Sequence, residues 1–178
     1  MEKEKKKFNI IKLVIIIACA ILFIGLILPY ESAIGEHKEY LQKNPDTMNV
    51  KEINLTNKDA INVSIIENFK VYSYGMNHSE GDSWLAEEST INFILTIILI
   101  VSTILVLVFT LLNKRVLSII FDILLFGSSM FMNFDIVSRG VMPSTKYTYG
   151  ISYYLYPIIS VIILIAIIVL IVKNKMKN

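Results

Sequence analysis

The sequence predicts a mainly α-helical membrane protein, built as a four-helix transmembrane bundle with a small extracytoplasmic α+β cap. Hydrophobic residues make up 54% of the 178 residues, which is above the usual share for a soluble domain. The charged residues, 18% of the chain, lie almost wholly outside four apolar runs. One long polar segment, residues 30–90, separates the first apolar run from the other three. Segregation of this kind favours membrane spans with one large outer segment over a soluble domain with a large core.

Residues 1–9 are predicted to be a cytoplasmic tail. The first apolar run, residues 10–28, is predicted to be a membrane helix that is not cleaved from the protein. It is 19 residues long, near the ~20 that cross a bilayer. No small-x-small cleavage site follows it, so a cleaved signal peptide is disfavoured. Pro29 is expected to end the helix because proline cannot continue the backbone hydrogen-bond ladder. Cys19 is the only cysteine, which excludes an intrachain disulfide and a cysteine metal cluster.

The polar segment is predicted to form the cap. Residues 31–44 are typical of a short amphipathic helix that stops at an Asn-Pro pair. Apolar and polar residues then alternate over 50–56, 61–65 and 69–74, which predicts three antiparallel strands in a meander. Such a sheet has one apolar face and is marginal alone, so we expect that face to rest on the helix ends or on a partner.

Three further spans are expected after the cap. Asp82 or Ser83 is a candidate N-cap for a helix that begins at Trp84 and continues into the second apolar run. Pro157 predicts a kink in the last span. The predicted boundaries are 91–112 for the second span, 113–115 for a cytoplasmic turn, 116–136 for the third span, 137–150 for an outer loop, 151–172 for the fourth span and 173–178 for a cytoplasmic tail.

The distribution of Lys and Arg predicts the orientation. The two tails with the start of the first span, together with the 113–115 turn, carry ten of these residues, whereas the outer loop carries two. The cap carries five Lys against eleven Asp and Glu. By the positive-inside rule, the protein is expected in the cell membrane as a multi-pass protein with cytoplasmic N- and C-termini.

The third span contains an intramembrane polar stripe formed by Ser118, Asp122, Ser129 and Asn133, which share one helix face at 100° per residue. An ionisable residue within a span suggests a functional site, here a proton or cation path. The alternative is structural: Lys12 lies at a similar shallow depth in the first span, and a Lys12–Asp122 ion pair would fix the two helices together. We favour the ion pair over transport.

No catalytic, cofactor-binding or metal site is predicted. His37 and His78 both fall in the cap with acidic neighbours, but they lack the spacing of metal ligands, and exposed loop histidines are the simpler interpretation. No nucleophile elbow and no phosphate-binding glycine loop is present in the sequence.

The order of elements resembles the claudin-type tetraspan architecture: four spans, a large first outer segment with strands, a very short inner turn and a short second outer loop. Locally, the segments Ile27-Leu28-Pro29-Tyr30 and Tyr149-Gly150-Ile151-Ser152-Tyr153-Tyr154-Leu155 resemble small four-span proteins of low-GC Gram-positive bacteria. The animal claudin motif is absent, because Trp84 stands alone and the cap has no cysteine pair. The resemblance therefore implies a fold and does not imply a barrier or pore.

Two functions follow from these features as expectations. The first is a non-enzymatic interaction or scaffold protein that binds a membrane or envelope protein, or a second copy of itself, through the cap. The second is a subunit of an oligomeric transporter or channel that uses the polar stripe. A membrane enzyme would need several polar residues converging at one depth, and the sequence shows only scattered ones. Membrane lipids are expected partners and nucleic acids are not.

Overall fold

The computed structural model describes residues 10–78 and 83–175 of the chain, with side chains given for 10–78 and 87–173. Most of the described residues are helical. The predicted N-terminal tail, the Asp82 cap and the last lysine of the C-terminal tail lie outside the described residues. In chain order the elements are α1 (Ile10–Gly25), β1 (Pro29–Ala33), α2 (Gly35–Lys43), β2 (Met48–Val50), a 3-10 turn (Lys51–Ile53), β3 (Leu55–Thr56), α3 (Asn57–Ile61), β4 (Asn62–Ser64), α4 (Ile65–His78), α5 (Ser83–Leu111), α6 (Arg115–Ser138), β5 (Tyr147–Tyr149) and α7 (Ile151–Lys175).

Three helices of the described part are long and apolar enough to cross a membrane, over Glu87–Leu111, Arg115–Ser138 and Ile151–Lys173. The chain is thus a membrane protein by length and composition of its helices. The described part of α1 is a shorter apolar helix of 16 residues, about 24 Å long at 1.5 Å per residue, against a hydrocarbon thickness of ~30 Å.

The four apolar helices pack in a ring in which α1 and α6 each contact both α5 and α7. The interior is closely filled and the outside is covered by large apolar side chains, the reverse of a water-soluble bundle. Fully buried side chains include Ile15, Leu22, Leu99, Leu125 and Ile163. Exposed ones include Ile17, Ile104, Phe131 and Ile165, one from each helix. An apolar exterior on every helix, α1 included, is suited to lipid rather than water.

A small antiparallel sheet with strand order β4–β1–β5 joins the helix ends. The central strand β1 follows α1, and the edge strand β5 directly precedes α7, with Glu31 opposite Tyr149. At the start of α7 the backbone N–H of Gly150 donates to the Tyr30 carbonyl over 2.9 Å. A Cβ at position 150 would lie only 2.3 Å from the Pro29 carbonyl oxygen, so this close approach requires glycine.

The predicted cap elements are partly confirmed. A helix lies within 31–44 (α2) and a strand within 61–65 (β4), and α5 runs continuously into the second apolar run. The prediction that Pro29 ends the first helix is wrong by four residues, since α1 ends at Gly25 and Pro29 begins β1. The segment 50–56 forms a hairpin of β2 and β3 interrupted by the 3-10 turn, instead of one strand.

The predicted strand at 69–74 is wrong, because this segment lies inside α4. The buried residues of α4 are Ile65, Asn68 and Tyr72, at helical spacing. Ser64 directly precedes α4, and its backbone N–H donates to the Glu67 carboxylate over 2.8 Å, as in an N-terminal capping box. The predicted three-stranded meander is therefore wrong as well. Of the three strands in the sheet, only β4 lies in a segment predicted as a strand, whereas β1 precedes those segments and β5 follows α6.

Candidate functional site

The polar stripe of α6 faces the inside of the bundle, and each of its residues is hydrogen-bonded within the protein. The Thr110 hydroxyl on α5 donates to that of Ser118 over 3.3 Å. Ser129 donates to a backbone carbonyl of its own helix over 2.8 Å. Asn133 receives a hydrogen bond of 2.7 Å from the Tyr30 hydroxyl and donates to the Tyr153 carbonyl over 2.9 Å. The upper end of the stripe therefore joins β1, α6 and α7.

Asp122 is paired with a hydroxyl of α7. Ser160 donates to the Asp122 carboxylate over 3.0 Å, and Asp122 is 1% exposed. Among the described residues, the ion pairs within 4 Å do not include Lys12 with Asp122. Asp122 and Ser160 also border a small cavity of about 140 Å³ between α6 and α7, whose other lining residues are apolar. The geometry thus ties Asp122 to α7 instead of α1.

A partly buried ion-pair cluster lies where the cap meets α6. We call Glu88, Asp135 and Arg139 the Arg139 cluster. Arg139 follows the last turn of α6 and donates to Asp135 over 2.5 and 2.9 Å, and it lies 3.6 Å from Glu88 on α5. The three side chains are 13–23% exposed. One guanidinium therefore links α5 to α6 and compensates two carboxylates.

Further polar groups surround this cluster. Asn92 of α5 is fully buried and donates to Asp135 over 2.7 Å. From the cap, Tyr72 of α4 lies within hydrogen-bonding reach of Arg139. Glu31 of β1 is 7% exposed and accepts a hydrogen bond of 3.0 Å from Asn68 of α4. Burial raises the pKa of Glu31 above its usual range, although the Asn68 hydrogen bond and the positive Arg139 oppose that shift.

Sequence reasoning missed the Arg139 cluster. In the sequence, Arg139 is one of the two charges of the outer loop, and Asp135 falls within the third span with no role assigned to it. The available signal was their separation of four residues at the end of one helix, which places a carboxylate and a guanidinium on the same face. The contribution of Glu88 had no signal within the sequence, because it depends on how α5 packs against α6.

The outer side of α4 carries a shallow groove, which we call the α4 groove. Its volume is about 390 Å³, and it mixes apolar, polar and basic side chains. The Tyr74 and His78 rings stack with centroids 4.2 Å apart, and Phe69 stacks on Phe93 of α5 at 4.8 Å. The groove therefore reaches from the cap to the outer end of an apolar helix. It is lined by Ile53, Phe69, Lys70, Ser73, Tyr74, Asn77 and His78.

The two histidines lie apart from each other. His37 lies beside Tyr147 of β5, with 3.4 Å between its Nε2 atom and the tyrosine hydroxyl. His78 contacts the Tyr74 carbonyl through Nδ1 at 3.1 Å. Over residues 10–78 and 83–175, no group of three or more His, Cys, Asp or Glu side chains could hold a metal ion. The acidic neighbours Glu80 and Asp82 lie outside the described residues.

Comparisons with known proteins found no match to this chain among family models, curated proteins or solved structures.

Proposed function

We propose that the chain is a four-span protein of the cell membrane with a claudin-like tetraspan layout and cytoplasmic termini, and that it is a non-enzymatic interaction protein. Its partner is a protein of the same membrane, bound through the α4 groove of the extracytoplasmic cap. One observation carries the proposal: the cap is joined to the bundle at several buried points. The sheet connects the ends of α1 and α7, and the Arg139 cluster connects α5 and α6 below α4.

Such joints hold the α4 groove in a fixed position above the membrane. A groove that is fixed before binding loses little conformational freedom when a partner binds, which favours affinity. The Phe69–Phe93 stack makes the groove continuous with the apolar surface of α5, where Ile97, one turn beyond Phe93 on the same face, is exposed. A partner in the same membrane can therefore contact the cap and the bundle together.

The chemical character of the groove also suits a protein. Tyr74 and Phe69 offer aromatic surface, while Lys70 and His78 at its border offer hydrogen-bond donors. Aromatic side chains and scattered polar groups of this kind are typical of protein interfaces. The transport alternative gains less from the geometry, because the polar groups of the α6 stripe are hydrogen-bonded within the bundle.

Site-specific photo-crosslinking in native membranes tests the proposal. A crosslinking residue is placed at Asn77, which is exposed in the α4 groove, and in a control protein at Gln42, which is exposed on α2. We expect one adduct of defined mass from position 77 and not from position 42. Tyr74→Ala should abolish that adduct while leaving the amount of protein unchanged.

Two results would contradict the proposal. One is the same set of adducts from both positions, which would indicate random collision. The other is an adduct at position 77 that survives both Tyr74→Ala and the charge reversal Lys70→Glu, since the groove would then not be the surface that binds.

A further inference from the structure

The turn between α5 and α6 forms a second groove at the end of the bundle opposite the cap. Asn113 adopts the left-handed conformation, with φ of 60°, and the chain reverses within the three residues between Leu111, which ends α5, and Arg115, which begins α6. The groove has a volume of about 390 Å³ and a wide opening. It is lined by Asn113, Lys114, Arg115, Val116, Leu117 and Ile171.

This groove has a cationic edge and an apolar floor. Lys114 is exposed and Arg115 is half-buried at the edge. Directly beside them, Val116 is 70% exposed and Leu117 is 38% exposed. The charged pair and the apolar pair follow each other directly in the sequence, so the surface changes from charged to apolar within a few ångströms. In a helix that crosses a membrane, a change of this kind is expected at the boundary between water and hydrocarbon.

The apolar half continues onto the outside of the bundle. Leu111 and Leu112, at the end of α5, are 53% and 59% exposed. Ile171 of α7 closes the groove on the other side. A ligand in this groove would therefore contact two cations at one end and a lipid-facing apolar surface at the other. That combination matches an amphipathic anion.

We propose that the 113–117 turn is a binding site for one anionic phospholipid, with the phosphate of the headgroup between Lys114 and Arg115 and the start of an acyl chain along Val116, Leu117 and Ile171. A soluble phosphate would leave the apolar floor uncovered, and a neutral lipid would bring no net negative charge to the exposed Lys114 and its neighbour Arg115. The inference requires only that α5 and α6 cross the membrane, and it is independent of any partner at the cap.

The expected preference follows from the two charges. A Lys or Arg beside an anionic surface favours binding about fivefold, so the exposed Lys114 is expected to favour an anionic lipid about fivefold over a neutral one and the pair by up to about 25-fold. The contribution of each charge is screened by salt, and the preference should weaken as ionic strength rises.

Native mass spectrometry of the delipidated full-length protein tests the proposal. The protein in micelles is titrated with phosphatidylglycerol or with phosphatidylcholine of the same acyl chains, and the lipid-bound fraction is measured. We expect the first bound phosphatidylglycerol at a concentration about 5- to 25-fold lower than phosphatidylcholine. The double variant Lys114→Gln/Arg115→Gln should remove this preference, and Lys114→Gln alone should reduce it about fivefold.

A matched control removes two charges from the opposite end of the molecule. Lys38→Gln/Lys146→Gln changes two exposed side chains of the cap and the outer loop, and it should leave the preference intact. Arg115 also interacts with other groups of the protein, so its substitution could disturb the turn. The side chain of Lys114 is exposed, and Lys114→Gln therefore tests the charge without disturbing the turn.

Three results would overturn the proposal. The first is equal binding of the two lipids by the wild-type protein. The second is an anionic preference that survives Lys114→Gln/Arg115→Gln, or that is lost equally in the control. The third is displacement of bound phosphatidylglycerol by glycerol 1-phosphate at an equal concentration, which would show that the acyl chain contributes nothing and that the site takes a soluble phosphate.

Discussion

Removing the guanidinium of the Arg139 cluster should destabilise the protein, because the cluster holds two partly buried carboxylates around one cation. Arg139→Gln keeps a hydrogen-bonding side chain but leaves the carboxylates of Asp135 and Glu88 without their cation. Deleting one partner of a fully buried pair costs about 3–5 kcal/mol. The side chains here are 13–23% exposed, so water can solvate them in part, and we expect about 2–3 kcal/mol.

The structure also provides the assay. Cys19 is the only cysteine of the sequence and is fully buried in the bundle, so a thiol-reactive fluorogenic maleimide reports opening of the core during a thermal ramp. At about 2–4 °C per kcal/mol, Arg139→Gln should lower the midpoint by about 5–10 °C. Lys146→Gln, an exposed charge in the same outer loop, should shift the midpoint by less than about 2 °C.

A double-mutant cycle separates the ion pair from a general effect of the substitution. In Asp135→Asn/Arg139→Gln, the charge nearest to the lost guanidinium is gone too. We expect this double variant to be more stable than Arg139→Gln alone, with a coupling energy of about 1–3 kcal/mol. A double variant no more stable than the single one would refute the reasoning, because the loss would then not arise from an unpaired buried carboxylate.

The remaining predictions concern single positions, each followed by the same thermal assay. Gly150→Ala should destabilise by up to about 3 kcal/mol, since its Cβ would lie 2.3 Å from a backbone oxygen of β1, whereas Gly127→Ala, with nothing within 4 Å, should be neutral or stabilising; equal effects would contradict this. The raised pKa of Glu31 means that the folded state holds more protons than the unfolded state between the two pKa values, so stability should fall as pH rises through that window, and Glu31→Gln should remove the fall. Asp122→Asn and Ser160→Ala should show a coupling energy of about 0.6–1.7 kcal/mol, and additive effects would mean that their hydrogen bond contributes nothing.

The apolar helices were predictable from sequence because each is defined by its own composition. The three predicted spans fall in α5, α6 and α7, except that residue 112 lies one residue beyond the end of α5. The helices extend further than the spans, most of all α5, which begins at residue 83. An uninterrupted apolar run of that length has few alternatives, since backbone polar groups in lipid must be satisfied within the segment. The polar stripe of α6 is expected to face the inside of the bundle for a related reason, because polar side chains in a span avoid lipid.

The cap was harder to predict because tertiary contacts decide its structure. The alternation of Phe69, Val71 and Ser73 with their neighbours has the period of a strand, yet the segment is helical. The residues that α4 buries include Asn68 and Tyr72, whose polarity hides the helical period in the sequence. Asn68 is buried because Glu31, 37 residues earlier, accepts its hydrogen bond. No local pattern contains that information.

The pairing of β1 with β5 has a consequence for how the chain is assembled. Strand β1 leaves the ribosome early, directly after α1, while β5 follows only once α5 and α6 have been made. Until then one edge of β1 has no neighbour, and the buried Glu31 side chain lacks Arg139 beside it. Completion of the cap sheet therefore waits until α5 and α6 have been made, and a finished sheet reports that both are present. Conformational probes of the cap during synthesis should consequently change late, once β5 has followed α6.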